Sequence, residues 1–160
     1  MSTKPLLPEA EYLATLPKKR MGVGVVFTSG NKVLVLKPTY KDHWLLPGGV
    51  IDENESPREA AIREVKEELG LDVVIEKLIV MDYLHPAGTR TECIQFFFQG
   101  PELKPAEVAA IQLQSEEITE YEFVEFPEAL KRLGGHASQR LKIAISKNFE
   151  MTYLENGQEI

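Results

Sequence analysis

From Met21 the chain runs through small and β-branched apolar residues, MGVGVVFT, and after Ser29-Gly30-Asn31 through a second such run, KVLVLK. Two runs of this kind about a short polar turn predict a hairpin. The loop PTYKDH leads into a brief apolar strand at Trp44-Leu45-Leu46, stopped by Pro47. The period then changes: Ile62, Val65 and Leu69 recur at helical spacing. Ser56 is a good N-cap, Pro57 suits the first helical position, and Glu59 completes a capping box. Gly70 is a natural left-handed terminator, so the helix is predicted over 57–69. Farther on, VVIEKLIVMDYL predicts a long strand, His85 to Thr89 a turn, and TECIQFFFQG the returning strand with Ile94, Phe96 and Phe98 on one face.

Residues 101–110 carry two prolines and read as a loop. A strand is expected at about Glu122 to Phe126, a short helix over PEALKRL, a break at Gly134-Gly135, and an amphipathic helix over ASQRLKIAISKNF with Leu141, Ala144 and Ile145 on one stripe. The last dozen residues show no pattern. At the other end, Pro8-Glu9-Ala10-Glu11 opens a helical turn carrying Tyr12, Leu13 and Leu16, read as a packed lead-in arm. Strands, one helix, strands and two helices, joined mostly by hairpins, predict an α+β fold with a mixed sheet between helices. The expected organisation is a single domain, 1–160, with an arm at 1–19 and a tail at 148–160.

On a wheel of ~100° per residue, Glu67, Glu64 and Glu68 fall at about −60°, 0° and 40°, opposite the core stripe of Ile62, Val65 and Leu69. Arg63 lies beside Glu67. Like charges at this spacing repel by a few tenths of a kcal/mol per exposed pair, at roughly the scale of helix charge pairs. Glu67 and Glu68 also stand in the last turn, where the helix dipole disfavours anions. A hard divalent cation removes both costs; a solvated acidic face is the plain alternative.

Composition narrows this. The chain has 160 residues and a formal net charge of −7, which argues against an extended nucleic-acid groove but not against a small phosphate ligand beside a cation. Cys93 is the single cysteine, so no disulfide framework can form within the chain; in an alternating apolar run it reads as a buried structural thiol. No apolar run suits a signal peptide or a membrane span, and a cytoplasmic protein is expected. Gly22-Val23-Gly24 is not a dinucleotide fingerprint, since Phe27 takes the third glycine's place; these glycines more simply allow a close approach of strand or ligand.

Gly49, Glu55, Arg63-Glu64-Val65, Glu67-Glu68 and Gly70-Leu71 stand at the spacing of the Nudix box, and every defining position is filled. The chain therefore resembles the Nudix hydrolase family over about residues 20–147, with its α/β/α sandwich. The resemblance implies hydrolysis of a nucleoside diphosphate linked to another group, such as a nucleoside triphosphate, a nucleotide sugar or ADP-ribose, with Mg²⁺ or Mn²⁺. It implies that Glu64, Glu67, Glu68 and the Gly48 carbonyl bind metal, that Arg63 orients the glutamates, and that Glu55 is a supporting acid. The general base is either Glu64 or an acid of the late loop Glu116, Glu117, Glu120, with Glu117 favoured. Pro86 with Gly88 and Glu92 resembles the marker of ADP-ribose pyrophosphatases, and Pro86 also reads as a turn residue. Lys37, Lys41, Tyr83 and Arg90 are candidate substrate contacts, and Tyr40, Trp44 or Tyr83 could stack on a base. The expected partner is a small nucleotide, with no membrane and no extended nucleic acid, for a monomer or homodimer. A non-catalytic nucleotide-binding or regulatory module of the same fold is the alternative; such modules usually lose the glutamates that this chain keeps.

Overall fold

Strand β1 (Arg20–Val26) alternates its side chains between two cores. Val23 and Val25 point to one face of the sheet; Gly22, Gly24 and Val26 point to the other. The computed structural model describes residues 7–160, so Pro5 of the lead-in arm lies outside the described residues. Beside β1 the chain forms β2 (Thr28–Ser29), β3 (Lys32–Pro38), α2 (Pro57–Leu69), β4 (Lys77–Leu84), β5 (Cys93–Gln99), α3 (Pro105–Ala109), β6 (Ile118–Glu125), α4 (Phe126–Arg132), α5 (Gly135–Ser146), β7 (Thr152–Glu155) and β8 (Gln158–Glu159), with α1 (Glu9–Ala14) before them.

The strands make a five-stranded mixed sheet, β1-β5-β4-β7-β8, and a three-stranded antiparallel sheet, β2-β3-β6. In the mixed sheet β1 runs parallel to β5 and β4 parallel to β7, while β4 and β5 are antiparallel. On one side α2 lays Ala60, Ala61, Val65 and Leu69 against Val23, Val25 and Phe98. On the other, α4 and α5 bring Ala129, Leu133, Leu141 and Ala144 onto Val26, Phe97, Ile79 and Val80. The result is an α+β sandwich, α/β/α in layers, as the order of elements predicts. Phe96 and Phe98 share the α2 side, as expected. Among the described residues no helix is long and apolar enough to cross a membrane.

Several boundaries differ from expectation for local reasons. Trp44-Leu45-Leu46 is not a strand but two isolated bridges, Trp44 to Leu133 and Leu36 to Leu45, because Pro47 ends it at once. Residues 73–76 stay outside β4, which starts at Lys77 and shifts register between Leu78 and Val80. The loop at 101–110 contains α3, opened by Pro105 with Glu107 capping the Lys104 amide at 2.7 Å. Strand β6 begins at Ile118, four residues before the expected start. The arm is helical over Glu9–Ala14 but not packed: Tyr12, Leu13 and Leu16 are exposed. The tail, too, is built in. Leu154 is fully buried, β7 pairs with β4, and the Asn156 amide donates to the Tyr83 carbonyl at 3.0 Å.

Leu154→Ala should therefore cost about 2–5 kcal/mol, the range for truncating a buried leucine. Urea unfolding followed by circular dichroism measures it. A change below ~0.5 kcal/mol, within the range of exposed-surface substitutions, would mean that β7 lies outside the cooperative unit.

Candidate active site

The site is built on the edge of β1. Residues 47–51 run along it: the Val23 amide donates to the Gly49 carbonyl at 2.8 Å, Val25 to Pro47 at 2.8 Å, and the Ile51 amide to Met21 at 3.1 Å. The Pro47 and Gly49 carbonyls are thus occupied. The Gly48 carbonyl between them meets no backbone donor among the described residues. Gly48 has φ 139°, and a Cβ there would strike the Val23 backbone, so glycine alone fits. A Cβ on Gly49 would collide with the Glu64 carboxylate.

Helix α2 presents its acids to this edge. Its start carries the predicted capping box, with the Glu59 carboxylate accepting from the Ser56 amide at 2.9 Å; its end is Gly70 at φ 69°. Arg63 organises the loop before the helix. Its Nε and Nη2 donate to Glu55 at 2.8 and 2.9 Å, Nη1 donates to Glu64 at 2.9 Å and Glu67 at 3.1 Å, and Nη2 also reaches the Val50 carbonyl at 3.0 Å. Asp52 closes the loop from its backbone amide onto Glu55 at 3.0 Å. These bonds to Arg63, with that from Asp52, hold the Glu55 carboxyl below the usual range.

Glu68 is different. Its side chain is buried at 5% exposure, and its one bond is from the Gly48 amide at 2.8 Å. Among the described residues no cation pairs with it. Burial pushes its pKa up to about 8, the Gly48 amide opposes this, and Glu64, Glu117 and Glu67 add to it. Burial likewise raises Glu64, against the pull of Arg63. Glu117 reaches this group because the loop before β6 is sewn to the end of α2: the Gln112 amide donates to the Leu69 carbonyl at 2.9 Å and Gln114 to Glu68 at 3.3 Å. Those bonds also satisfy the helix's last carbonyls. Glu116 spends its carbonyl on the Thr39 hydroxyl at 3.1 Å, and Glu120 pairs with Lys37 in the β3–β6 ladder.

The fit to a metal is that of an open site rather than a cage. Among the described residues no three acidic, imidazole or thiol side chains converge as a ready-made metal cluster. Arg63 draws Glu64 and Glu67 toward itself, and Glu68 turns onto Gly48. The unpaired buried carboxylate and free carbonyl suit an Mg²⁺-type ion, which takes one or two carboxylates and completes its shell with water and phosphate.

On the other side of the glycine edge lies a cavity of about 340 Å³. Gly48 and Gly49 border both it and the glutamates. Tyr40 and Lys41 stand at the cavity, with the Lys41 ammonium 5.1 Å from the Tyr40 ring centre. Gln95, Phe97 and Arg140 also line it. Sequence reasoning missed Gln95 and Arg140. Gly22 and Gly24, opposite Gln95 and Phe97 in the β1–β5 register, were the available signal.

The other expected substrate contacts do not gather at the cavity. Lys37 donates to the Asp42 carbonyl at 2.6 Å. Tyr83 is taken up by Glu92, which also binds Lys19 at 2.7 Å, and by the edge of His85. Arg90 closes the exposed turn Ala87–Arg90 just after Pro86. Trp44 is half-buried under Arg132, whose guanidinium carbon lies 4.9 Å from the ring centre. Cys93 is buried, as expected.

The family model described as NUDIX domain matches residues 18–143. The chain belongs to the NUDIX family. Within it, the chain is 37% identical over 60 residues to an 8-oxo-dGTP diphosphatase of Proteus vulgaris, covering 35% of this chain and 54% of that protein. It is 30% identical over 97 residues to an RNA pyrophosphohydrolase of Nitratiruptor sp., covering 53% and 60% respectively. The alignments thus span a little over half of these curated relatives. Among solved structures, the MutT protein from Methanosarcina mazei Go1 superposes with a TM-score of 0.68 at 22% identity, over 84% of this chain and 99% of that one; the NUDIX fold is shared.

The electrostatics of Glu68 make a pH prediction for the metal-free protein. Its pKa is higher in the folded chain, about 8, than its ordinary value of 4.5. Its contribution to stability is therefore full below 4.5 and is lost as pH rises through 8. Glu68→Gln, which stays neutral, should raise stability at pH 9 by at least ~1 kcal/mol and leave it little changed at pH 4. Thermal melts in EDTA at the two pH values measure this; equal effects at both would mean that Glu68 is not held against its charge.

Proposed function

We propose that the protein is a divalent-metal-dependent pyrophosphohydrolase acting on a nucleoside diphosphate linked to another group. The observation that carries this reading is Glu68, a buried carboxylate with like-charged neighbours and no cation, next to the free Gly48 carbonyl. The names of the relatives, a diphosphatase and a pyrophosphohydrolase, support the same reaction class.

In this reading Glu64, Glu67, Glu68 and the Gly48 carbonyl are the metal's protein ligands. Mg²⁺ or Mn²⁺ there would neutralise pyrophosphate oxygens and lower the pKa of a water. Arg63 holds Glu64 and Glu67 by hydrogen bonds, and Glu55 holds Arg63 in turn. Glu117 has no ion-pair partner among the described residues, and its charge acts on both Glu64 and Glu68. It is the general base: it accepts a proton as the water oxygen bonds to phosphorus and the bridging phosphorus–oxygen bond breaks, the electron pair leaving with the departing phosphate. The cavity beyond Gly48-Gly49 takes the nucleoside, and Tyr40 offers its ring at the mouth.

Phosphate release from nucleoside triphosphates, nucleotide sugars, ADP-ribose and dinucleoside polyphosphates, with Mg²⁺ and with EDTA, tests this. Activity should appear with metal alone. Glu68→Gln should lower kcat by orders of magnitude while the protein stays folded, and Glu117→Gln should lower it ~10²–10⁴-fold, the range for losing a general base. Turnover on none of the panel, with no metal binding, would sink the enzyme reading.

A further inference from the structure

The loop that carries Glu117 hangs between two elements. On one side the Gln112 and Gln114 amides bind the Leu69 and Glu68 carbonyls at the end of α2. A turn follows, in which the Gln114 carbonyl accepts from the Glu117 amide at 3.0 Å and the Ile118 amide at 2.9 Å. On the other side stands Thr39. Its amide donates to the Glu117 carbonyl at 2.8 Å and its hydroxyl to the Glu116 carbonyl at 3.1 Å. Among the described residues, every other hydrogen bond to residues 111–117 runs backbone to backbone; the Thr39 hydroxyl is the one side-chain group that holds them.

The chain before Thr39 explains this placement. Pro38 has no amide hydrogen to give to the β3–β6 ladder, and the register slips beside it. Lys37 pairs with Glu120 and Pro38 with Ile118, so Thr119 is left over as a bulge, its hydroxyl returned to the Lys37 carbonyl at 3.1 Å. Past the bulge the next bonds go to the loop, through Thr39. Thr39 also precedes Tyr40 and Lys41, which stand at the recess beyond Gly48-Gly49. Burial raises the Tyr40 phenol's pKa, and the charges of Glu117, Glu68 and Glu64 raise it further, so its ring stands within the field of the acids.

We propose that the Thr39 hydroxyl positions Glu117, setting the loop so that the carboxylate meets the attacking water. This rests on Glu117 being the general base, as proposed above. A base works only within hydrogen-bond reach of the proton it takes, and a misplacement of ~1 Å can cost a rate ~100-fold. Catalytic groups on loops therefore depend on the bonds that hold the loop. Thr39 acts through Glu117 and is a positioning residue.

Steady-state kinetics with Mg²⁺, on the fastest substrate of the nucleotide panel, test this. Thr39→Val removes the hydroxyl at nearly constant shape. It should lower kcat about three- to tenfold, the worth of one neutral hydrogen bond, and leave KM within about twofold. Thr39→Ser keeps the hydroxyl and should hold kcat within about twofold of the wild type. Thr39 is exposed, so the thermal melt should not move; Thr39→Ala replaces the valine variant if that one does not fold. The deciding arm is Thr39→Val combined with Glu117→Gln. With the base gone, the second substitution should lower kcat no further. In the metal-free protein, the Glu117 and Ile118 amides should exchange hydrogen at least about threefold faster in Thr39→Val and not in Thr39→Ser. A wild-type kcat or unchanged exchange in Thr39→Val, an equal loss in the serine variant, a loss carried by KM, or a full further loss on top of Glu117→Gln would overturn the proposal and leave Glu117 as the base. An unchanged kcat in Glu117→Gln would sink the base reading, and no turnover on the whole panel the enzyme reading; the role of Thr39 falls with either.

Discussion

One guanidinium, that of Arg63, joins the acidic loop to the helix that follows it. Its bonds to Glu55 and to the Val50 carbonyl fix the loop; its bonds to Glu64 and Glu67 fix the helix acids. Without that cation the loop and the helix face would carry only mutually repelling charge. With it, Glu55, Glu64 and Glu67 are held at a half-buried surface, and Glu68, left outside the network, is pressed onto the Gly48 amide. The strain is placed on one carboxylate rather than spread over the face.

The glycine edge decides how that carboxylate connects to the rest of the molecule. Because residues 47–51 pair along β1, they form a wall one strand thick between α2 and the recess on the α5 side. Where that wall is Gly48-Gly49 it has no side chains. Backbone alone separates the recess from the acids there. The same absence of side chains at Gly22 and Gly24 lets Gln95 and Phe97 lie close over β1.

The helix at the centre was legible down to its caps, because every signal for it is local: Ser56, Pro57, Glu59 and Gly70 act within four residues of themselves. The layered fold was legible from the change of period. What the sequence concealed depends on distant partners. Arg140 looks like an ordinary polar residue on an amphipathic helix until Asp82, far away in sequence, buries it. The tail from Met151 is too short and mixed to show a strand pattern, and becomes one only because β4 offers it an edge. The arm shows the opposite failure: the local helix formed at Glu9–Ala14, but the apolar stripe found nothing to pack on. Lys37, Tyr83 and Arg90 have the chemistry of substrate contacts, but nearer partners or an exposed turn hold them away from the recess.

The Gly157 amide beneath Asp82 has a consequence for the order of assembly. Synthesis runs from the N-terminus, so the box loop and its helix can be complete while the segment that fixes Asp82 is still inside the ribosome. Until Gly157 emerges, Asp82 lacks one of its two donors and the counter-ion of Arg140 is loosely set. The bonds that join the acids to Arg63 and Gly48 span at most 20 residues, whereas the setting of Arg140 waits for Gly157.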